Sequence, residues 1–303
     1  MANFVSGAWK SGIFDNKVVF CTGGTGTICS GQVRALVSLG ANACIIGRNA
    51  EKAQSVATGI AKERCGSKVL GLGGVDVRDF DKVKAAVETC VRELGGIDFV
   101  IVGAAANFLA PISALSLNAF RTIIDIDLMG SWITMKATLP YLLRSAERHK
   151  GSVSNGTGGR IVFISSTNYR SARVAQVHAC AAKAGVNAIS DVLSLEHAPQ
   201  GLTSNIIAPG PIGDTEGLRR LSDPTLREDA IRSVPVQRLG LVKDIADATV
   251  FLFGDTGNFI NGACLDVDGG SWRVRGGGQF GNRKYPESIN SAASMGREKT
   301  SRL

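Results

Sequence analysis

A glycine-rich turn is the first feature of this sequence that could do chemistry. Gly23, Gly24 and Gly26 follow the apolar run 18–22 and precede a helical stretch that begins near Ile28. Glycines at such a turn let the backbone approach a pyrophosphate, which then lies at the helix N-terminus. Glycine turns without a ligand are common, so the motif alone is weak. Its place in the first strand–helix unit favours a dinucleotide site built by Gly23, Gly24, Thr25, Gly26, Thr27 and Ile28.

Two charged residues after later strands refine the expected ligand. Arg48 follows the second apolar run, where an NAD site usually carries an acidic side chain for the ribose hydroxyls. An arginine suits a 2′-phosphate, so the sequence predicts NADP(H); a solvated loop arginine is the alternative. Asp76 follows the third run, where it could accept a hydrogen bond from an adenine amino group or cap the next helix.

A sheet must bring these residues together, and the apolar runs of the chain predict one. Strands are expected at 18–22, 43–46, 69–75, 99–102, 161–164, 203–207 and 263–266, and helices at about 28–39, 51–64, 79–94, 116–143, 177–197 and 244–252. Apolar strands without polar alternation, separated by helices, indicate a parallel sheet covered on both faces. The expected fold class is α/β, with a single Rossmann-type, doubly wound parallel sheet of about seven strands.

The predicted domain organisation is one reductase-like domain with extensions. It spans residues 16–272, after an irregular arm at 1–15 and before a Gly-rich tail at 273–303. A flexible surface loop is expected at 151–159. The tail from residue 271 carries seven Arg/Lys and two Glu, so it holds most of the formal net charge of +8.

Composition excludes several function classes. Only 6% of the residues are aromatic, which argues against a nucleic-acid partner. No apolar run approaches the roughly 18–20 residues of a membrane span. The N-terminal residues lack the apolar core of a secretory signal. The seven cysteines are scattered without a ligand-like cluster, so neither a disulfide framework nor a metal site is expected.

The chain resembles the short-chain dehydrogenase/reductase family over about residues 14–270. The motifs that carry the resemblance are the 22–26 turn, Asp76, the 104–107 stretch, Lys183 and the 209–212 corner. In that family a tyrosine four residues before the lysine protonates an alkoxide, beside a serine and an asparagine. Here Ala179 stands four before Lys183, and none of the three tyrosines has that spacing. Since alanine has no proton to give, a conventional alcohol dehydrogenase is not expected.

The departures from the family pattern resemble those of its peroxisomal 2,4-dienoyl-CoA reductases, and the 26–29 turn resembles that of fungal members. Asp127 stands in place of the family's asparagine. The resemblance implies NADPH-dependent reduction of a 2,4-dienoyl-CoA to a 3-enoyl-CoA. Hydride addition would leave charge on the thioester oxygen, and the site would stabilise that dienolate and protonate carbon. Asp127 and Lys183 are the implied acid pair, working through an ordered water, and which of them carries the proton stays open.

The resemblance also implies the binding residues. Lys183 would hold the nicotinamide ribose, with further cofactor contacts from Pro209, Gly210, Ile212 and Thr215. Substrate contacts would come from Arg78, Phe108, Ser116, Leu117, Asn118 and Arg220. Arginines suit the CoA phosphates, although ordinary surface arginines are the alternative. Ser166 takes the family's serine position without a tyrosine partner, Tyr169 could line the pocket, and His178 is expected to be a packed or capping histidine.

The expected partners and location follow from the same resemblance and from the last three residues. Ser301, Arg302 and Leu303 form a variant of the Ser-Lys-Leu peroxisomal address, which predicts the peroxisomal matrix and an import receptor as partner. A homodimer or homotetramer through the long helices is expected. Two alternative functions stay open: a trans-2-enoyl-CoA reductase, and a non-catalytic NADP-binding sensor or scaffold.

Overall fold

A seven-stranded parallel sheet forms the centre of the protein, as predicted. The computed structural model describes residues 4–149, 158–213, 215–221 and 227–274. The strands are β1 (Val18–Thr22), β2 (Asn42–Ile46), β3 (Val69–Leu72), β4 (Phe99–Val102), β5 (Arg160–Ile164), β6 (Thr203–Pro209) and β7 (Cys264–Val267). Their order is β3-β2-β1-β4-β5-β6-β7. The direction of winding reverses between β1 and β4, and such a switch point opens a crevice at the carboxyl ends of the strands.

Helices cover both faces of the sheet and bury two separate apolar clusters. They are α1 (Thr27–Ser38), α2 (Ala50–Ala61), α3 (Phe80–Leu94), α4 (Leu117–Ile123), α5 (Gly130–His149), α6 (Val177–Glu196), α7 (Glu216–Leu221), α8 (Arg227–Arg232), α9 (Val242–Phe253) and α10 (Ser271–Val274). Side chains of α1, α2 and α9 fill one face. Side chains of α3, α5 and α6 fill the other. None of the helices in the described ranges is long and apolar enough to cross a bilayer.

The helix predicted over 116–143 differs from the observed one in length and in form. A π-helical turn, Ile124–Met129, separates α4 from α5, and α5 continues to His149. The helix does not end at 143 because Ser145 and Ala146 still face the sheet; the Ser145 hydroxyl donates to the Asp98 carboxylate. The wider π turn places Asp127 on the buried side of the helix. Such turns often lie at functional sites.

The structure describes the three segments that were expected to lie outside the sheet to different extents. Residues 4–17 contain no helix or strand, and they are anchored to the body. Phe14 is buried, and the Trp9 indole and the Ser6 amide donate to Asp247 on α9. Of the loop predicted at 151–159, only the buried residues 158 and 159 are described. The tail predicted at 273–303 begins inside α10, and the rest of it, including Ser301, Arg302 and Leu303, lies outside the described residues.

Candidate active site

A cleft of about 560 Å³ lies at the carboxyl ends of the central strands. The turns after β1 to β5, the end of β6 and the π turn all contribute to its wall. The predicted site residues that line it are Gly23, Thr25, Gly26, Thr27, Ile28, Arg48, Asp76, Phe108, Asp127, Lys183, Pro209, Gly210 and Thr215. The fold therefore brings residues separated by almost two hundred positions along the chain to one place.

Other predicted site residues lie outside the lining. They are Gly24, Arg78, Ser116, Leu117, Asn118 and Ile212. Gly24 packs behind the turn, where a Cβ would lie 2.6 Å from the Ile45 side chain. Arg220 lies on α7, but its side chain is outside the described part of the structure.

The glycine turn after β1 needs its first glycine for both conformation and space. Gly23 has φ +69°, and a Cβ there would lie 2.5 Å from the Gly103 carbonyl oxygen after β4. The Thr22 hydroxyl accepts hydrogen bonds from the Gly103 and Ala104 amides, which ties the β1 and β4 turns together. Gly26 begins α1 without a side-chain cap. The first helical turn therefore presents backbone N–H groups to the cleft, the arrangement that binds phosphate.

Cys29, in the first turn of α1, packs closely against the turn after β4. Its side chain is buried, and the thiol lies 3.8 Å from the Gly103 carbonyl oxygen. A Cβ on Gly103 would lie only 2.2 Å from the Cys29 sulfur. A side chain at position 103 would therefore collide with the Cys29 sulfur, and glycine there leaves room for it.

A charged rim surrounds the ends of β2 and β3. Asp76 accepts from Arg78 through both carboxylate oxygens, with Oδ2 2.6 Å from Nη2 and Oδ1 3.0 Å from Nε. This ion pair lowers the pKa of Asp76 to about 2. The carboxylate still has lone pairs for a further donor. The alternative role of Asp76 as the cap of α3 is wrong, because the Asp79 side chain accepts from the Lys82 amide at the start of that helix.

Arg78 lies on this rim and not in the cleft. Its guanidinium is held by Asp76, so its predicted contact with CoA phosphates would have to be made from the outer edge. Ser116 instead caps α4, where its hydroxyl accepts from the Ala119 amide. Leu117, the next residue, is 87% exposed. The predicted substrate residues therefore divide between the wall, at Phe108, and the outer surface, at the start of α4.

Asp127 and Lys183 form a buried pair at the centre of the cleft. The Lys183 ammonium lies 3.4 Å from Asp127 Oδ2 and donates to the Ile164 carbonyl oxygen at 3.0 Å. Asp127 Oδ1 accepts from the Ala106 amide at 2.8 Å. The carboxylate is 1% exposed and the lysine 8% exposed, yet both line the cleft. This burial excludes a position on the protein surface for either residue.

The protonation of Asp127 is set by two opposing effects. Burial raises its pKa above the ordinary value, while the charge of Lys183 and the hydrogen bond from Ala106 oppose that rise. Burial is the larger effect, so the carboxyl group is shifted toward its neutral, proton-carrying form. This is the direction that a proton donor near neutral pH requires.

The family's tyrosine has no substitute among the described residues. Ala179 lines the cleft at that position and leaves space where a phenol would lie. Tyr169 is outside the lining, and its hydroxyl donates to the Cys264 sulfur on β7 at 3.2 Å. Tyr141 is also outside the lining. Ser166 does line the cleft, where its hydroxyl caps the next turn by accepting from the Asn168 amide.

Several residues of the cleft were not predicted from the sequence. Lys52, on the first turn of α2, adds a second cation beside Arg48, and a search for clustered cations after β2 would have found it. Ser165 and Asn168 follow β5. The Ser165 hydroxyl is buried and has no partner among the described residues, so a bound ligand or water could satisfy it. Nothing in the local sequence marks the Ile164 carbonyl or the Ala106 amide as parts of the site.

Comparisons with known proteins agree on one family. The sequence model of the family described as enoyl-(acyl carrier protein) reductase matches residues 24–271. A Saccharomyces cerevisiae protein named peroxisomal 2,4-dienoyl-CoA reductase, (3E)-enoyl-CoA-producing, is 44% identical over 286 residues, which cover 93% of this chain and 92% of that protein. A Rattus norvegicus protein named in the same way is 36% identical over 261 residues, covering 86% of this chain and 85% of its own length.

A solved structure agrees with this grouping. The short chain dehydrogenase of Bacillus anthracis superposes with a TM-score of 0.75 at 30% identity. The match covers 91% of this chain and all of that structure.

Proposed function

The chain belongs to the short-chain dehydrogenase/reductase family, and from that membership we propose that it is an NADPH-dependent 2,4-dienoyl-CoA reductase that yields a 3-enoyl-CoA. One observation carries the proposal: Ala179 replaces the tyrosine that would protonate an alkoxide, while a buried acid pair, Asp127 and Lys183, lines the same cleft. A site without the phenol but with an intact acid pair suits protonation of a carbon atom. The names of the yeast and rat relatives support the same substrate class.

The residues of the cleft fit a nicotinamide dinucleotide, the cofactor of this family. The Gly23 turn leaves a cradle that a Cβ would fill, and the uncapped start of α1 suits a pyrophosphate. We propose NADP(H), because Arg48 and Lys52 place two cations where a 2′-phosphate would lie. Lys183 would hold the nicotinamide ribose, and Pro209, Gly210 and Thr215 would form the wall beside the nicotinamide. Ile212 lies between Pro211 and Gly213, whose backbones pair with Gly240 and brace that loop.

The acid pair would act on the negative charge that develops in the substrate. The bound cofactor supplies a hydride to the conjugated acyl group. The Lys183 ammonium, fixed by the Ile164 carbonyl and almost fully buried, would stabilise negative charge on the substrate. Asp127 is oriented by the Ala106 amide and holds a proton for transfer to carbon, directly or through a water. Reprotonation of the pair from solvent would complete the cycle.

The proposed function is tested by turnover on two acyl-CoA classes. Purified protein is mixed with NADPH and either a 2,4-dienoyl-CoA or a simple trans-2-enoyl-CoA, and the loss of NADPH and of the diene chromophore is followed. We expect rapid loss of the diene, with a 3-enoyl-CoA as product. Turnover of the 2-enoyl-CoA alone would support the alternative that the family description names, an enoyl reductase. NADPH binding without turnover of either substrate would contradict both reductase proposals.

Cofactor selectivity gives a second prediction. Arg48→Ala is expected to weaken NADPH binding roughly 10- to 100-fold, because a charge-assisted contact with the 2′-phosphate is lost. NADH binding should change little, because NADH has no 2′-phosphate. Both dissociation constants are measured by fluorescence titration. Lys62→Ala, which removes an exposed cation at the far end of α2, is the matched control. Equal weakening for both cofactors would contradict the assignment of Arg48.

The location and assembly are also proposed. The relatives named above are peroxisomal, which, with the Ser301–Leu303 address, supports the peroxisomal matrix and an import receptor as partner. Exposed apolar side chains on the two long helices, Trp132 on α5 and Val192 and Leu195 on α6, support a homo-oligomer. We propose a single domain over residues 16–272, flanked by the N-terminal arm and the C-terminal tail.

A further inference from the structure

His178 is a buried titratable residue that the proposed reaction does not use. It is the second residue of α6, it is fully buried, and it does not line the cleft. Its ring nevertheless contacts two residues that do, Asn107 and Phe108. A buried imidazole at such a place needs an explanation, because burial without satisfied hydrogen bonds is costly.

The hydrogen bonds around His178 determine its tautomer. Nε2 lies 3.1 Å from the Phe108 carbonyl oxygen and 3.2 Å from Asn107 Oδ1. The Asn107 amide is oriented by two other bonds: Oδ1 accepts from the Phe108 amide at 2.8 Å, and Nδ2 donates to Gln176 Oε1 at 2.9 Å. Both groups facing Nε2 are therefore acceptors, so Nε2 carries the proton. Nδ1 is then unprotonated, and it is buried without a partner among the described residues.

His178 holds the cleft wall through its ring as well as through this bond. The His178 and Phe108 rings stack with centroids 4.3 Å apart and planes 13° apart. Two residues before Phe108, the Ala106 amide donates to Asp127. The short segment 106–108 is thus fixed at one end by the proposed acid and at the other by His178. The Ala110 amide, which donates to the Ala175 carbonyl, ties the same loop to the residues before α6.

We propose that His178 is a positioning residue for the dienoyl-CoA reduction: as a neutral, Nε2-protonated imidazole it fixes the Phe108 wall and, through segment 106–108, the amide that orients Asp127. The inference rests on the proposed function for its kinetic test. Its second test, given below, needs no turnover.

The charges around His178 agree with a neutral ring. Burial lowers its pKa, and the hydrogen bond to the Phe108 carbonyl and the charge of Asp127 only partly oppose this effect. The loop 106–110 and Gln176 contribute no charged side chain, and Lys183 lies five residues further along α6. A second proton would have to be placed on Nδ1, which has no acceptor among the described residues.

The kinetic test compares two substitutions that remove different parts of the imidazole. His178→Gln keeps an N–H donor near Nε2 and loses the ring, whereas His178→Phe keeps the ring stack and loses the donor. We expect His178→Phe to lower kcat at least about tenfold, with the Kd for NADPH changed less than about twofold. His178→Gln should recover most of the lost kcat. Wild-type kcat in the Phe variant would overturn the proposal. The proposal would also be overturned if the two variants lost kcat to the same extent and also lost Tm to the same extent, because that result indicates a merely structural role.

The second test reads the tautomer directly by NMR. The full chain is prepared with ¹⁵N-labelled imidazoles, and of its three histidines His178 is identified by the signals absent from His178→Gln. We expect the proton on Nε2, and a titration midpoint below that of an ordinary histidine because the ring is buried. A proton on Nδ1, or a midpoint above that of an ordinary histidine, would overturn the proposal. A wild-type protein that reduces no acyl-CoA would refute the proposed function, while this spectrum would still decide the state of His178.

Discussion

Asp127→Asn lowers kcat for the dienoyl-CoA about 10²- to 10⁴-fold, the range that general acid catalysis contributes. Asparagine has nearly the same shape, and its side-chain oxygen can still accept from the Ala106 amide. It cannot hold or release a proton, and it removes the charge beside Lys183. The loss should therefore fall on kcat and leave the Kd for NADPH nearly unchanged. The steady-state rate at which NADPH and the diene chromophore disappear gives kcat, and fluorescence titration gives the Kd for NADPH.

The prediction also specifies how kcat depends on pH. Burial raises the pKa of Asp127, so the proton-carrying form is lost as pH rises through that pKa. In the wild type kcat should therefore fall on the alkaline side, and this limb should be absent from the residual activity of Asp127→Asn. Asp81→Asn makes the same chemical change at an exposed position in the first turn of α3 and should leave kcat within about twofold. Near-wild-type turnover in Asp127→Asn would exclude Asp127 as the acid.

Lys183→Met is expected to reduce kcat/KM by about 10³-fold or more and also to weaken NADPH binding, because one ammonium group has two proposed tasks. It would stabilise charge on the substrate and hold the nicotinamide ribose. Methionine fills the space of the alkyl chain but cannot donate to the Ile164 carbonyl or balance Asp127. The effect on cofactor binding distinguishes this variant from Asp127→Asn.

The control for Lys183→Met tests whether loss of a cation by itself has this effect. Lys136→Met changes an exposed residue of α5 and should leave both kcat/KM and the Kd for NADPH near wild type. Tm is measured for both variants, because loss of the lysine leaves Asp127 buried without its cation. A folded Lys183→Met protein with wild-type turnover would contradict the proposed role. If Lys183→Met binds NADPH normally but turns over slowly, only the proposed catalytic role of Lys183 is supported.

The strands are specified by local features of the sequence, whereas the ends of some elements depend on distant contacts. The seven strands were predicted within a few residues, most of them because an apolar run can be read locally in the sequence. β6 and the long helix continue further than predicted. Their ends are set by packing and by partners such as Asp98, which lie elsewhere in the chain.

The roles of Asp76 and Arg78 show why charged residues are harder to assign. The sequence supports a cofactor contact for the first and a CoA contact for the second. In the structure they form an ion pair. They are two positions apart in the sequence, and the turn after β3 places their side chains next to each other. Composition cannot reveal that an apparently available cation already has a partner.

The sequence by itself determined the fold class and the glycine turn, because these depend on the succession of apolar runs and on residue types at short spacings. The tertiary structure alone decided how the acid pair is held. Asp127 is buried by a π turn and bound by an amide 21 residues earlier, and Lys183 is fixed by a carbonyl 19 residues before it. Such contacts exist only when the sheet and helices have assembled, since backbone amides and carbonyls occur at nearly every position and carry no signal in the sequence.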